Sequence, residues 1–180
     1  RMINEAHLSK QDLYYNRERP SITGLIDAGS HAILDLGCGS GVVGRKLKAD
    51  GKAGRLIGVE LFPEAAAEAS RHYDQVFQGD VEAIDFKFPC LFDYAICGDI
   101  LEHLRDPYSV VRRVYGWLKP GGRIICSVPN IRHWRVITDL AFGGDWTYVD
   151  AGIMDRTHLR FFTRRTCHQM LTDAGFRIQK

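Results

Sequence analysis

Short apolar runs alternate with amphipathic stretches along most of this chain. Ala32–Leu36, Arg55–Glu60, Gln75–Gly79, Phe92–Cys97 and Arg123–Val128 are five or six residues each, most of them bounded by glycine, acidic residues or proline. Apolar runs of that length read as buried strands. Val42–Asp50 reads as a helix ended by Gly51, with Gly54 turning the chain into the second strand. Pro63 opens an alanine-rich helix through Ala69, because proline suits the first helical turn. Pro107–Leu118 places Val110, Val111, Val114 and Trp117 on one side of a helix. Arg164–Ala174 reads as a last helix, capped by Thr163 and closed by Gly175, before a sixth strand over Phe176–Gln179. Strands alternating with helices predict an α/β fold with a doubly wound, mostly parallel sheet.

Three segments depart from the alternation. Residues 4–19 predict a helix, with Leu8, Leu13 and Tyr14 on one face, and Ser21–Ala28 predicts a second, shorter one. Together residues 1–30 read as an N-terminal helical cap. Lys119-Pro120-Gly121-Gly122 reads as a turn. Residues 131–163 interrupt the pattern: Ile131–Phe142 suits a helix, but Gly143-Gly144-Asp145-Trp146 cannot continue it. A long interruption after a strand's carboxyl end is where a lid or substrate insertion belongs.

The chemistry gathers at Ile33-Leu34-Asp35-Leu36-Gly37-Cys38-Gly39-Ser40-Gly41, an apolar strand running into a glycine turn ahead of a helix. That order makes a nucleotide-type crevice at the carboxyl end of a parallel sheet. Gly39–Gly44 matches the G-x-G-x-x-G dinucleotide fingerprint letter for letter. Charge argues otherwise. Asp35 precedes the turn, Glu60 and Asp80 end the next two strands, Asp99 follows the fourth, and the turn itself holds no lysine or arginine. A pyrophosphate is repelled there; a sulfonium, an ammonium and a ribose diol are favoured, opposite charges at ~4 Å being worth roughly 4 kcal/mol at an intermediate dielectric. S-adenosylmethionine (SAM) has all three groups.

Ile33–Gly41 resembles the first motif of class I SAM-dependent methyltransferases. The resemblance continues, in the family's order, through Leu56–Glu60, Gly79-Asp80-Val81, Phe92–Asp99, Leu101-Glu102-His103-Leu104, Leu118–Gly122 and Ser127-Val128-Pro129-Asn130. It implies a Rossmann-like sheet with a lid after strand 5. The family's seventh, antiparallel strand is missing, so either the chain is a fragment or a partner completes that edge. By this resemblance Gly37, Gly39 and Gly41, with Cys38 between them, admit the methionine moiety, and Asp35 faces its ammonium directly or through water. Glu60 accepts both ribose hydroxyls, since a carboxylate offers two acceptor oxygens to a vicinal diol. Leu61 lines the adenine, Asp80 accepts from its amine and Val81 packs on the ring. Gly98 and Asp99 offer backbone carbonyls to the ammonium. Tyr14 is placed as a closure over the cofactor, or as packing of its helix on the sheet.

His158 and His103 are the candidate general bases, because neutral imidazole titrates near working pH. His158 lies in Asp155–Thr163, a run that resembles a signature of bacterial small-molecule methyltransferases often encoded with cell-envelope sugar pathways. The alternative reading of that run is a lock between lid and sheet. Asp99, Glu102, His103 and His158 resemble the E-x-x-E-H metal cluster of some RNA 2′-O- and quinone-precursor O-methyltransferases, with aspartate at the first position; a divalent metal is not favoured. Asn130, Arg132, His133, Trp134, Arg135, Trp146 and Tyr148 surround the acceptor, unless the tryptophans are core.

Composition adds limits. The chain has 180 residues, enough for a single domain over 1–180, and a net charge of +2, which gives no whole-chain case for nucleic acid. Residues 1–122 hold 15 basic and 17 acidic side chains, whereas 123–180 hold 9 and 5. Five cysteines without a C-x-x-C predict free thiols and a reducing, cytoplasmic setting. There is no membrane-length apolar run, and the Arg1-Met2 start reads as a cut end or tag remnant. The expected enzyme transfers methyl to an oxygen of a small-molecule, sugar- or metabolite-type acceptor. A metal-assisted RNA or quinone-precursor enzyme and a non-catalytic SAM-binding domain are the alternatives. A homodimer or a C-terminal extension is the expected partner at the sheet edge. Glu60→Ala is expected to abolish most SAM binding; unchanged affinity by calorimetry refutes the assigned pose.

Overall fold

A computed structural model describes residues 19–84 and 91–179. The helix expected over 4–19, and with it Tyr14, lies outside the described residues. The elements are α1 (Pro20–Thr23), β1 (His31–Leu36), α2 (Val42–Ala49), β2 (Ala53–Glu60), α3 (Pro63–Ala69), β3 (Gln75–Gln78), β4 (Phe92–Gly98), α4 (Pro107–Trp117), β5 (Leu118–Ser127), α5 (Trp134–Thr138) and α6 (Arg164–Asp173). All strand pairings are parallel, in the order β3-β2-β1-β4-β5. The chain winds outward from β1 in one direction and from β4 in the other, as a doubly wound sheet requires.

The two sheet faces carry separate cores. Leu34, Leu36, Ala95 and Cys97 pack with Val110, Val111, Val114 and Trp117 of α4 and Met170 and Leu171 of α6. Ile33, Leu56, Tyr94 and Ile96 pack with Ile22, Ile26, Leu47 and Ala69 on the other side. Alternate residues along one strand therefore serve different layers. That is why β1 and β4 are mostly apolar, with His31, Asp35 and Asp93 the polar exceptions besides the Tyr94 phenol.

Four expectations change. The second helix is a single turn, Pro20–Thr23, closed by bonds from the Gly24 amide to Pro20 and Ile22. Lys119–Gly122 is not a separate turn but the first half of β5. The ladder absorbs it with a register shift opposite Phe92–Tyr94, and Gly121 supplies the left-handed backbone, φ 81°. The helix expected over 131–142 is shortened to α5 followed by a π-helical turn over Asp139–Gly143, ended by left-handed Gly144. Phe176–Gln179 is not a strand, so β5 is an edge of the five-stranded sheet. Phe176 instead bonds back to Leu171 and stacks edge-on against Tyr115 of α4.

No helix among the described residues is long and apolar enough to cross a membrane. Cys38, Cys97, Cys126 and Cys167 are free thiols.

The α6 start is built as expected. The Thr163 hydroxyl accepts from the Thr166 amide at 3.1 Å, and the Thr166 hydroxyl accepts from the Thr163 amide at 2.9 Å. Thr163→Ala is expected to cost ~1 kcal/mol, lowering Tm by roughly 2–4 °C for a chain this long; a thermal melt monitored by circular dichroism checks it.

Candidate functional site

Because β1 and β4 are neighbours whose following loops diverge, a crevice opens at their carboxyl ends. The glycine turn after β1 and the Gly98-Asp99 step after β4 form its two sides. Gly37, Gly39 and Gly41 all take left-handed backbone, at φ 71°, 55° and 86°. A side chain on Gly37 would meet Ile100 at 2.7 Å. The Gly37 and Cys38 amides both donate to the Val59 carbonyl, binding the turn to the end of β2.

Glu60, the last residue of β2, is buried. One carboxylate oxygen accepts from the Gly39 amide at 2.8 Å and the other from the Phe62 amide at 3.0 Å. Each oxygen keeps further acceptor capacity. Leu61 beside it is about half exposed (53%). Asp35 is buried too, and one of its oxygens receives the Tyr73 hydroxyl at 2.6 Å. Burial pushes its carboxyl up to about 7, against the pull of that hydrogen bond.

Asp80 is exposed at the end of β3, and its carboxylate accepts from the Glu82 amide at 2.8 Å. Val81 is buried. This loop is clamped from α4: Arg113 donates to the carbonyls of Ile84, Val81 and Glu82. In return the Glu82 carboxylate accepts the amides of Arg105 and Asp106.

Asp99 is the one non-glycine with positive φ (52°) among the described residues. Such strain persists only where neighbours hold it. Here the Ser127 hydroxyl donates to it at 2.6 Å and Arg19 pairs with its other oxygen at 2.8 Å. The Arg19 guanidinium lies over Gly98, where a Cβ would meet it at 2.9 Å. Sequence reasoning missed Arg19, which stands among acids brought in from distant strands; its only sequence signal is a cation just ahead of the first described helix.

Glu102, His103 and His158 come together, with one ligand-type atom from each within 4.8 Å of the others. Asp99 does not join them, because Arg19 and Ser127 hold its carboxylate. Glu102 is 1% exposed, and neither carboxylate oxygen meets a hydrogen-bond partner from another described residue. Burial pushes it up to about 8, with Asp99 adding to the rise. The imidazole rings of His103 and His158 lie 4.8 Å apart, edge to face. Nδ1 of His158 is 3.0 Å from the Ile153 carbonyl, and Nδ1 of His103 is 3.2 Å from that of Thr157. A carbonyl only accepts, so those contacts place the proton on Nδ1 and leave Nε2 as the basic nitrogen of both rings. Burial, and then the neighbouring His158, lower the pKa of His103.

The Asp155–Thr163 run does act as a lock, though not through Asp–Arg pairs within it. The Leu159 and Arg160 amides both donate to the Glu102 carbonyl, and the Arg160 side chain donates to the Arg105 carbonyl. The one ion pair of the run, Arg156–Asp150, is exposed. The same segment sets His158 beside His103. The tryptophans are not core: Trp134 is 64% exposed and Trp146 40%. Ile137, Leu140, Phe142 and Tyr148 are exposed beside them in sequence, which gives the lid an apolar, aromatic surface.

Known proteins share this architecture. Residues 11–180 match the profile of a family described as "Methyltransferase domain". The chain is 29% identical over 157 residues to a ubiquinone biosynthesis O-methyltransferase of Psychrobacter arcticus, covering 82% of this chain and 59% of that protein. It is 31% identical over 122 residues to the protein of the same name from Pseudomonas putida, covering 63% and 48%. The chain thus spans about half the length of the curated relatives it matches. Among solved structures, a SAM-dependent methyltransferase from Mesorhizobium loti superimposes with a TM-score of 0.68 at 21% identity, over 89% of this chain and 81% of that one. That likeness supports the fold. With a match over nearly its whole length, the chain belongs to the class I SAM-dependent methyltransferase family.

Proposed function

We propose that this chain transfers a methyl group from SAM to a hydroxyl oxygen of a small-molecule acceptor. The observations that support the reading are a glycine turn with a buried acceptor carboxylate at the carboxyl ends of β1 and β2, and, after β4, two imidazoles set side by side beside Glu102. The curated relatives' name supports oxygen as the acceptor atom. It gives no support to a sugar, and the exposed aromatic side chains of the lid favour a planar aromatic acceptor over a polyol. The whole of 1–180 acts as one domain, with residues 1–30 as cap and 131–163 as lid.

The residues present fit the cofactor. Glu60 keeps a lone pair on each oxygen after bonding Gly39 and Phe62, which suits a vicinal diol. Val81 and Leu61 offer apolar surface to a purine, with the Asp80 carboxylate beside them for its amine. The backbone of the Gly37–Gly41 turn, tied to β2 through the Gly37 and Cys38 amides, would face the methionine chain, with the Gly98 and Asp99 carbonyls on the other side. Arg19 supplies the cation for the methionyl carboxylate. When bound, the sulfonium supplies the methyl. The rest of catalysis is positioning: the lid holds the acceptor oxygen near the methyl, in line with its sulfur bond. His103, kept neutral by burial, or His158 takes the hydroxyl proton on Nε2.

SAM and S-adenosylhomocysteine (SAH) are each expected to raise apparent stability by about 2.7 kcal/mol at a hundredfold excess over Kd; a thermal-shift titration reads this, and no shift with either refutes the cofactor. Arg19→Ala is expected to weaken SAH more than adenosine, which lacks a carboxylate. His158→Ala or His103→Ala is expected to lower kcat by ~10²–10⁴-fold with SAH affinity unchanged; an equal loss of binding assigns them to the cofactor instead.

The orphaned Glu102 carboxylate favours a second reading. Two imidazoles and a buried carboxylate that takes no hydrogen bond from another described residue are a donor set for a borderline divalent ion such as Mn²⁺ or Zn²⁺. Glu102, His103 and His158 would hold it, and it would polarise the acceptor hydroxyl. In this case Mn²⁺ adds a thermal shift that His103→Ala removes. A metal-independent melt and activity unaffected by chelation leave the imidazoles as bases alone.

A further inference from the structure

Tyr73 has no part in the roles above, yet it is among the most enclosed polar side chains under the crevice (6% exposed). It follows α3, and its ring fills space that three glycines leave open. A Cβ on Gly44 would lie 2.2 Å from the ring, on Gly41 3.1 Å and on Gly58 3.0 Å. The hydroxyl donates to Asp35 at 2.6 Å.

Gly44 is the third residue of α2, a helix whose N-cap is Gly41 and which therefore has no cap side chain of its own. First-turn amides have no intrahelical partner. An aromatic ring from a distant segment packs directly on that first turn, at Gly44. The last glycine of the literal G-x-G-x-x-G is thereby explained: a side chain at Gly44 would collide with Tyr73, and no pyrophosphate is needed to account for it.

We propose that Tyr73 is a positioning residue for the cofactor turn, its ring packed on the first turn of α2 and its hydroxyl holding the Asp35 carboxylate in the arrangement that the ligand meets. The inference rests on the reading of this turn as the SAM site.

The groups facing Asp35 are Tyr73, Arg19, Glu60 and Cys38. Burial and Glu60 raise its carboxyl, while the Tyr73 hydrogen bond and Arg19 lower it. The Cys38 thiol is pushed far up by burial and by both carboxylates, and burial likewise pushes the Tyr73 phenol up, so both stay protonated. Removing the phenol hydroxyl leaves Asp35 with one stabilising neighbour fewer. Its charge, which favours the ligand ammonium, then appears only at higher pH.

Tyr73→Phe keeps the ring and removes the hydroxyl. Calorimetric SAH binding is measured across the range in which Asp35 titrates, around and above about pH 7, for wild type, Tyr73→Phe, Asp35→Asn and the double variant. The ligand's own amine titrates alike in all four and cancels in the comparison. The expected result is a roughly tenfold loss for Tyr73→Phe near neutrality that shrinks as pH rises, with that pH dependence absent when Tyr73→Phe is added to Asp35→Asn. A loss of equal size at every pH, or no loss near neutrality, overturns the proposal. Wild type that binds no SAH overturns the cofactor reading instead. The coupling is then decided in the ligand-free protein, where the Asp35 carboxyl carbon resonance is expected to titrate at higher pH in Tyr73→Phe, and an unchanged midpoint overturns it.

Discussion

Burying carboxylates at one edge of a parallel sheet is the constraint on which this structure depends. Every strand ends on the same side, so Asp35, Glu60 and Glu102 are buried there, and Asp99, a third exposed, stands with them. A buried charge without compensation costs several kcal/mol or is neutralised. These residues meet that cost differently. Glu60 takes two backbone amides, Asp35 a phenol, and Asp99 an arginine and a serine. Glu102 takes nothing from another described residue and rises instead. Those differences separate three carboxylates held by fixed hydrogen bonds or an ion pair from one that lies beside two imidazoles.

Much of this was legible beforehand, for physical reasons. Strands buried on both faces are apolar, and turns that need left-handed backbone favour glycine, so β1, β2, β4 and the Gly37–Gly41 turn announce themselves. Glu60 stands out because an acid ending such a strand has few reasons to be there. The illegible parts come from partners far apart in sequence. Tyr73 is an ordinary aromatic until three glycines and Asp35 are seen around it. Arg19 is an ordinary surface cation until Gly98 and Asp99 fold beneath it. Lys119–Gly122 looks like a turn because Pro-Gly-Gly usually makes one, yet it lies within β5 as an irregular stretch between the Leu118 and Arg123 pairings, with left-handed Gly121. The apolar Phe176–Gln179 suggests a strand, but the edge-on contact with Tyr115 and the bond to Leu171 take its first residue elsewhere.

Glu102 shows how one residue serves two neighbours. It lends its carbonyl to the Leu159 and Arg160 amides while its side chain lies beside the imidazoles. The segment 155–163 is thereby tied to the same residue that stands beside the His103–His158 pair, so displacing that segment and displacing His158 are mechanically one event.

The irregular start of β5 has a consequence for the exposed rim of the sheet. Pro120 carries no amide hydrogen, and Gly121 turns its peptide out of the pleat. A foreign strand laid against the first half of β5 finds no continuous ladder, which protects that stretch from aggregation as a flat, fully hydrogen-bonding border would not be protected. Only Arg123–Ser127 keeps an unbroken row of donors and acceptors. Any added strand must register on those five residues, at the end of the border that runs toward the crevice.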